Sequence, residues 1–463
     1  MNYIIWLAFP VIFITSFFLY YPSLDYYFFQ DDWFVLNWVR SFDLLDFIKF
    51  RSDIIYWRPL SMPIFFKFSN LIFGLNPFGF HLFALGFHFI NSALIYFLFR
   101  ELKFKKEIAY LIAFLYATAS FHLIPLSWLS TTSYIIGPSF IFSSLIFFLK
   151  NKVLISFALF LLGLTSSELT LTMIPIALIL KSQTKLSLGN IIPFAVVAAI
   201  YLALRFVFIP LPQEGQYNLT FTPKIFTNIF WYFVWAFNVP EAISTVFYFS
   251  RFKESQAAIL QFWQYIITPL VVAIYTLIII RAKTELKKTL IGISIFLFGL
   301  SPIIFLPFHI YPMYLIVATI GIFYILASSL ARLKSKLNLA IYSLSLLWFI
   351  SSFLTLKFTR TNHWLVNLQS ISKAYTQETQ NLTKKPPDNS VFIFKFADIE
   401  YAKKNNFVLI KNEQNIRQAL NDQDAIQVIF KDKSLKSLYE TEQQIPVYDQ
   451  NKPHFIVEPQ AVK

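Results

Sequence analysis

Long apolar runs separated by short polar gaps dominate the first three quarters of the chain. A run of roughly 20 residues is what a helix needs to cross a hydrocarbon core about 30 Å thick. Read in order, the runs predict spans over residues 3–21, 78–99, 107–124, 130–149, 153–166, 168–180, 189–209, 258–280, 289–308, 312–331 and 338–356. The first has neither a basic flank nor a small-residue cleavage site, so it reads as an uncleaved span. A long, partly polar segment, 22–77, separates it from the second. The run 226–248 is interrupted by Asn238, Pro240 and Glu241, which are costly at the bilayer centre. It reads as a re-entrant or interfacial segment on the outer side. The pattern predicts an all-α polytopic membrane protein of about eleven helices over 1–357.

Beyond that point the period changes. Trp364, Leu365, Leu368, Ile371 and Tyr375 recur at helical spacing, which predicts an amphipathic connecting helix over 358–383. Lys385-Pro386-Pro387-Asp388-Asn389 is a turn. Short β-rich runs follow at 391–394, 407–410, 425–430 and 454–457, with polar helical stretches near 412–421 and 434–443. They predict a small α/β domain over 384–463, with no 34-residue repeat and no catalytic constellation of its own.

Composition agrees with a bilayer. The 463 residues are 57% hydrophobic and 14% charged, with 56 Phe. An ordinary soluble domain is about 45–50% apolar and about 25% charged. The absence of Cys removes thiol catalysis and Cys metal sites. The net charge of +14 suggests nucleic acid only if it forms one patch, and it does not. From Arg360 onward there are 14 basic and 12 acidic residues, leaving 25 and 13 ahead of it. Fifteen of those 25 gather in alternate gaps: Arg100, Lys103, Lys105, Lys106; Lys150, Lys152; Lys181, Lys185; Arg281, Lys283, Lys287, Lys288; Arg332, Lys334, Lys336. Basic gaps face the cytoplasm, so the amino end lies inside and the carboxyl-terminal domain outside. Six acids, Asp25, Asp31, Asp32, Asp43, Asp46 and Asp53, then fall in the first outer segment, and Glu168, Glu214, Glu241 and Glu254 also lie outside. Chemistry belongs at that face. There is no Walker loop, dinucleotide fingerprint or zincin motif.

The sharpest local feature is Phe28-Phe29-Gln30-Asp31-Asp32-Trp33. Neighbours on a helix point about 100° apart, so one Asp can do chemistry while the other orients it or binds a cation. The plain alternative is a solvated pair. With Asp31-Asp32, the elements Tyr56-Trp57-Arg58-Pro59-Leu60 and Phe73-Gly74-Leu75-Asn76-Pro77-Phe78-Gly79-Phe80-His81-Leu82, then His88 and Asn91, resemble membrane glycosyltransferases of the GT-C superfamily. The likeness is to the protein O-mannosyltransferase group, glycosyltransferase family 39, and its transmembrane-and-tetratricopeptide relatives. These carry an acidic pair after span one, an "RPL" element and a "GLNPFGYHL…LH…N" entry to span two. Ser166-Ser167-Glu168-Leu169-Thr170-Leu171 is similar to their "KE…TLP", with Ser where Lys is usual. Leu202-Ala203-Leu204-Arg205 matches an Arg near the outer end of a mid-chain span. The stretch Leu306 to Tyr314 resembles their "ERYLYLPS" element, with His309-Ile310 in place of the charged pair. The resemblance covers residues 1 to about 360.

It implies transfer of a sugar, mannose in the namesake group, from a polyprenyl-phosphate donor to an acceptor hydroxyl on protein, glycan or lipid. The site is the outer face of the plasma membrane and the displacement inverts. A carboxylate base must take the acceptor's proton, and cations must meet the departing phosphate. By carry-over Asp31 is the base and Asp32 its support. Arg58, Arg205 and His309 are candidates for the donor phosphate, with Glu168 and His81 as possible supports. A divalent cation at Asp31 and Asp32 is the one cofactor the resemblance leaves open. Each residue has a plainer reading: snorkelling for the two Arg, a helix-start charge for Glu168, packing for His81 and His88. The alternative function is a lipid or glycan transporter or flippase, which would want intramembrane charges and inverted repeats; the sequence shows one near-membrane Arg and no repeat.

Overall fold

The computed structural model describes residues 3–41, 43–51, 54–181, 187–209, 215, 217–243, 267–333, 337–404, 413–440 and 452–459. Asp53, Lys185, Glu214 and Glu254 lie outside the described residues. So do 244–248 and 258–266 of two expected apolar runs, 441–443 of an expected helix, and the expected strand 407–410.

The helices run α1 (Tyr3–Tyr20), α2 (Asp31–Ser41), α3 (Phe65–Phe73), α4 (Pro77–Glu101), α5 (Lys106–Ala117), α6 (Leu123–Ser127), α7 (Ser133–Leu149), α8 (Val153–Leu164), α9 (Met173–Lys181) and α10 (Ile192–Phe208). They continue with α11 (Lys224–Trp235), α12 (Ile267–Ala282), α13 (Leu286–Leu300), α14 (Leu315–Leu330), α15 (Leu337–Asn362) and α16 (Trp364–Leu382). Among the described residues, five stretches are long and apolar enough to cross a bilayer: Pro77–Glu101, Leu129–Leu149, Gly189–Phe208, Pro312–Leu330 and Asn338–Thr361. They mark an integral membrane protein. The eleven crossings expected from the sequence are not all matched by full-length helices. α8, for instance, has 12 residues, about 18 Å at 1.5 Å per residue.

Local chemistry sets the ends. The Asn76 side chain accepts from the Phe78 N–H at 3.2 Å and Pro77 takes the first helical position, a pre-organised start for α4. The expected span 107–124 is broken instead: α5 stops at Ala117, and Ser120–Ser127 leaves it at 47°. Side chains from elsewhere satisfy the freed backbone there. The Ser120 N–H donates to Asn238 Oδ1 at 2.8 Å, and the Tyr20 hydroxyl donates to the Ala119 carbonyl. In the doubtful run 226–248, α11 has 12 residues, too few to cross alone, and Asn238 takes a left-handed φ of 63° just after it. The expected connecting helix 358–383 begins six residues later than the pattern suggests. His363 Nδ1 accepts from the Leu365 N–H and starts α16, while 358–362 complete α15.

α14 is buried on every side, as an all-round apolar helix should be. It meets α13 through small residues that let the backbones touch. A Cβ at Gly299 would stand 2.5 Å from Ala318 Cα, and one at Gly321 would stand 2.2 Å from the Gly292 carbonyl. By contrast α10 faces outward along most of its length, with Leu202, Phe206 and Val207 exposed.

The carboxyl-terminal unit holds α17 (Ile399–Lys404), α18 (Glu413–Leu420), α19 (Asp424–Phe430), β1 (Val391–Phe394), β2 (Lys436–Tyr439) and β3 (His454–Val457). The sheet order is β2-β1-β3, both pairs parallel, with Val391 opposite Lys436 and His454. Two expectations are reversed. The β-rich run 425–430 is helical, because packing outranks its β propensity: Ala425, Ile426 and Val428 are buried and Gln427 Nε2 donates to the Lys433 and Leu435 carbonyls. The expected helix 434–443 contains β2, drawn onto the free edge of β1 by the Lys436 N–H to Ser390 and Glu440 N–H to Phe394 carbonyl bonds.

Candidate active site

Asp31 and Asp32 open α2, where the unpaired N–H groups favour acids, and the two part company there. Asp32 is fully buried. Its Oδ1 accepts from the Ser130 N–H at 2.7 Å and the Ser130 hydroxyl at 2.6 Å, and its Oδ2 from the Phe29 N–H at 3.3 Å. Asp31 lines a cavity of about 510 Å³, and among the described residues nothing hydrogen-bonds its carboxylate. Burial pushes Asp31 up to about 6. Burial also pushes Asp32 up to about 7, against the pull of its bonds from Ser130 and Phe29 and with a further push from Asp31. Asp31 is therefore a half-buried carboxylate that faces the cavity, and Asp32 an anchor for the Ser130 wall.

The second cluster is stitched by backbone. The Leu60 N–H donates to the Thr165 carbonyl at 2.9 Å, the Ser61 hydroxyl to the Ser166 carbonyl at 2.5 Å, and the Thr132 hydroxyl to the Ser61 carbonyl at 3.1 Å. A single wide turn over Leu60–Ile64, the rare geometry that recurs at functional sites, carries Arg58 inward. Its Nε donates to Glu168 Oε2 at 2.8 Å, Nη1 to Ser133 at 3.0 Å and Nη2 to the Tyr134 hydroxyl at 2.9 Å. Its charge lies over the Tyr56 ring at 4.3 Å and the Tyr134 ring at 5.0 Å. Arg205, one turn from the end of α10, donates to the Ile209 carbonyl at 2.7 Å and to the Ile55 carbonyl. Among the described residues it makes no ion pair.

Arg58, Glu168, Arg205 and His309 line the same cavity as Asp31. Five sequence candidates from five separate segments thus meet in one place. His309 stands 4.3 Å from the Tyr217 ring centre and 5.0 Å from that of Tyr311. Burial, and then the Arg58 charge, hold its imidazole down at about 4, so at neutral pH it offers a neutral ring and not a cation. His81 lies elsewhere, buried, with Nδ1 2.9 Å from the Leu126 carbonyl and Nε2 3.1 Å from the Tyr26 carbonyl; it ties α6 and the Tyr26 loop to α4. Among the described residues no three His, Asp or Glu side chains are grouped to hold a metal. Asp32 is spent on protein donors and Glu168 on Arg58, so the acidic pair does not fit a two-carboxylate cation site.

Sequence reasoning missed the rest of the wall: Trp128, Ser130, Thr131, Tyr134, Tyr201, Tyr217 and Tyr314. A signal existed in Ser127-Trp128-Leu129-Ser130-Thr131-Thr132-Ser133, too rich in hydroxyls for the start of a lipid-facing span. Part of the lining is apolar, with Leu202, Phe206, Leu219, Phe305 and Leu306. Leu202, Phe206 and Leu219 stay exposed, so the cavity combines charged groups with accessible apolar side chains.

No family model matches the chain, and no curated protein matches it. Among solved structures the chain is similar to archaeal oligosaccharyltransferase AglB from Archaeoglobus fulgidus, determined in complex with an inhibitory peptide and a dolichol-phosphate. The identity is 12% and the TM-score 0.43, over 90% of this chain. This chain spans 64% of that one's length.

Proposed function

We propose that this protein is a GT-C-type integral membrane glycosyltransferase that moves a sugar from a polyprenyl-phosphate donor to an acceptor hydroxyl at the outer membrane face. One observation carries the reading: a single cavity presents a carboxylate, Asp31, with no hydrogen-bond partner among the described residues, and two guanidinium groups, Arg58 and Arg205, together with apolar side chains such as Leu202, Phe206 and Leu219. A ligand with an anionic head, a polar sugar and an oily tail suits such a mixed lining.

In the displacement the acceptor oxygen attacks the anomeric carbon, the carbon–oxygen bond to the lipid phosphate breaks, and configuration inverts. The acceptor's proton passes to Asp31, whose carboxyl, raised to about 6, is a stronger base than a solvated Asp yet ionised at neutral pH. The phosphate leaves with the bonding electron pair. Arg205, which makes no ion pair among the described residues, meets that charge. Arg58, already paired with Glu168, adds field and not a free fork. Neutral His309 supplies a hydrogen bond. The acceptor class and the sugar follow the family resemblance. Purified protein in proteoliposomes, given radiolabelled polyprenyl-phosphate mannose and a panel of peptide, glycan and lipid acceptors, should transfer label. Movement of intact labelled lipid between leaflets without sugar transfer would favour the flippase reading instead.

A further inference from the structure

Among its described residues the carboxyl-terminal unit holds no catalytic constellation, yet it grips the helix that begins with Asp31. Gln30, the residue just before it, has φ 55°, a left-handed conformation that a non-glycine residue keeps only when its surroundings hold it. The Gln30 N–H donates to the Ala419 carbonyl of α18 at 3.0 Å, and the Gln30 carbonyl accepts from the Trp33 N–H at 3.0 Å. Farther along α2, Asn37 Nδ2 donates to Asp424 Oδ1 at 2.7 Å and Gln427 Oε1 at 2.8 Å, both on α19. Arg40 donates to the Gln427 carbonyl. Asn421 steadies Asp424 from its other oxygen at 2.7 Å. The Trp33 indole N–H donates to Ser372 of α16 at 2.9 Å. Every turn of α2 is therefore fixed from the carboxyl-terminal side, and the strained residue immediately precedes Asp31, which lines the cavity, where simple docking would not require one.

We propose that the carboxyl-terminal unit is a positioning clamp for Asp31: the Ala419 carbonyl fixes the turn at Gln30, and Asp424 with Gln427 fixes Asn37. Together they aim Asp31 into the cavity while Asp32 turns to Ser130. The inference rests on Asp31 being the base. Asn37, Asp424 and Gln427 are positioning residues, since none of them lines the cavity.

The test uses the full chain in proteoliposomes with two readouts, hydrogen exchange over residues 28–40 and transfer from polyprenyl-phosphate mannose. Asp424→Ala removes the acceptor that Asn37 needs, and Asp424→Asn keeps an oxygen there. Asp424→Ala should speed exchange over 28–40 several-fold and lower kcat by about 10–100-fold, the scale set by misplacement of about 1 Å. The donor KM should not move, because Arg205 and the apolar wall are on other elements. Asp424→Asn should stay near wild type in both readouts. Asn37→Ala should repeat the loss from the opposite partner, and the double variant should be no worse than either single one. Unchanged exchange in Asp424→Ala, faster exchange with wild-type kcat, or equal damage in Asp424→Asn would each overturn the clamp. If wild type transfers no sugar, the functional reading fails by itself. Exchange then still decides whether this unit holds the helix.

Discussion

Removing Glu168 from its pair with Arg58 tests how the cavity is held together. The ion pair is short, 2.8 Å, and the two side chains keep 8% and 22% exposure. Breaking a fully buried pair by deleting one partner costs about 3–5 kcal/mol, because the other charge is left stranded. Two features lower that figure here. Glu168 is partly wet, and Ser133, Tyr134 and two aromatic faces remain to solvate the guanidinium, each face worth about 0.5–2 kcal/mol. Glu168→Ala should therefore cost about 2–3 kcal/mol, and Glu168→Gln, which keeps an acceptor, about half as much. Arg58→Ala loses three hydrogen bonds and both ring contacts, and should cost about 3–4 kcal/mol. The double variant should fall short of the summed costs by about 1.5–3 kcal/mol. The assay is unfolding titrated in detergent, with the four proteins compared as a cycle. Additivity within about 0.5 kcal/mol would show a screened surface contact and refute the reasoning.

A carboxylate base works only when ionised, and burial raises the Asp31 carboxyl to about 6, so with Asp31 as the proposed base the transfer rate should fall as pH drops through about 6, about tenfold per unit below it. A pH–rate profile with its acid limb near 4 would place the base in solvent. Arg205→Ala should weaken donor binding by about 10–100-fold, the worth of one charge-assisted hydrogen bond, and Arg205→Lys should recover part of it. Unchanged binding of polyprenyl phosphate would reduce Arg205 to a tie between Ile209 and Ile55. Gly321→Leu should force α13 and α14 apart and cost about 3 kcal/mol or more, whereas Gly86→Leu, with nothing within 4 Å of its Cβ, should unfold at the wild-type midpoint.

The helical bundle was legible because each long apolar run leaves the chain few alternatives in lipid. What periodicity could not show was where polar side chains from distant segments rescue a broken helix. Asn238 holding Ser120 and His363 starting α16 are long-range or capping events that a hydropathy window averages away. In the carboxyl-terminal unit, 425–430 reads as a strand until Gln427 is seen bonding across to Asn37 and Leu435. Asp31, Arg58, Glu168, Arg205 and His309 were readable as candidates, and their meeting in one cavity was not. Nor was the division of labour between Asp31 and Asp32. Adjacent residues of one type differ here through the Phe29 N–H and through Ser130, a partner 98 positions away. The tyrosines of the wall were hidden among 24 in the chain, since a Tyr near a span end is ordinarily an interfacial anchor.

The account turns on Asp31 as the proton acceptor, and Asp31→Asn tests that most directly, because it keeps the shape and removes the basicity. The measurement is kcat for transfer from radiolabelled polyprenyl-phosphate mannose in proteoliposomes, with donor binding followed in parallel. The expected result is a fall of about 10²–10⁴-fold in kcat, the worth of general-base assistance, with donor affinity near wild type and a much smaller loss in Asp32→Asn. Asp31→Asn turning over at the wild-type rate, in a preparation where wild type is active, would contradict the account.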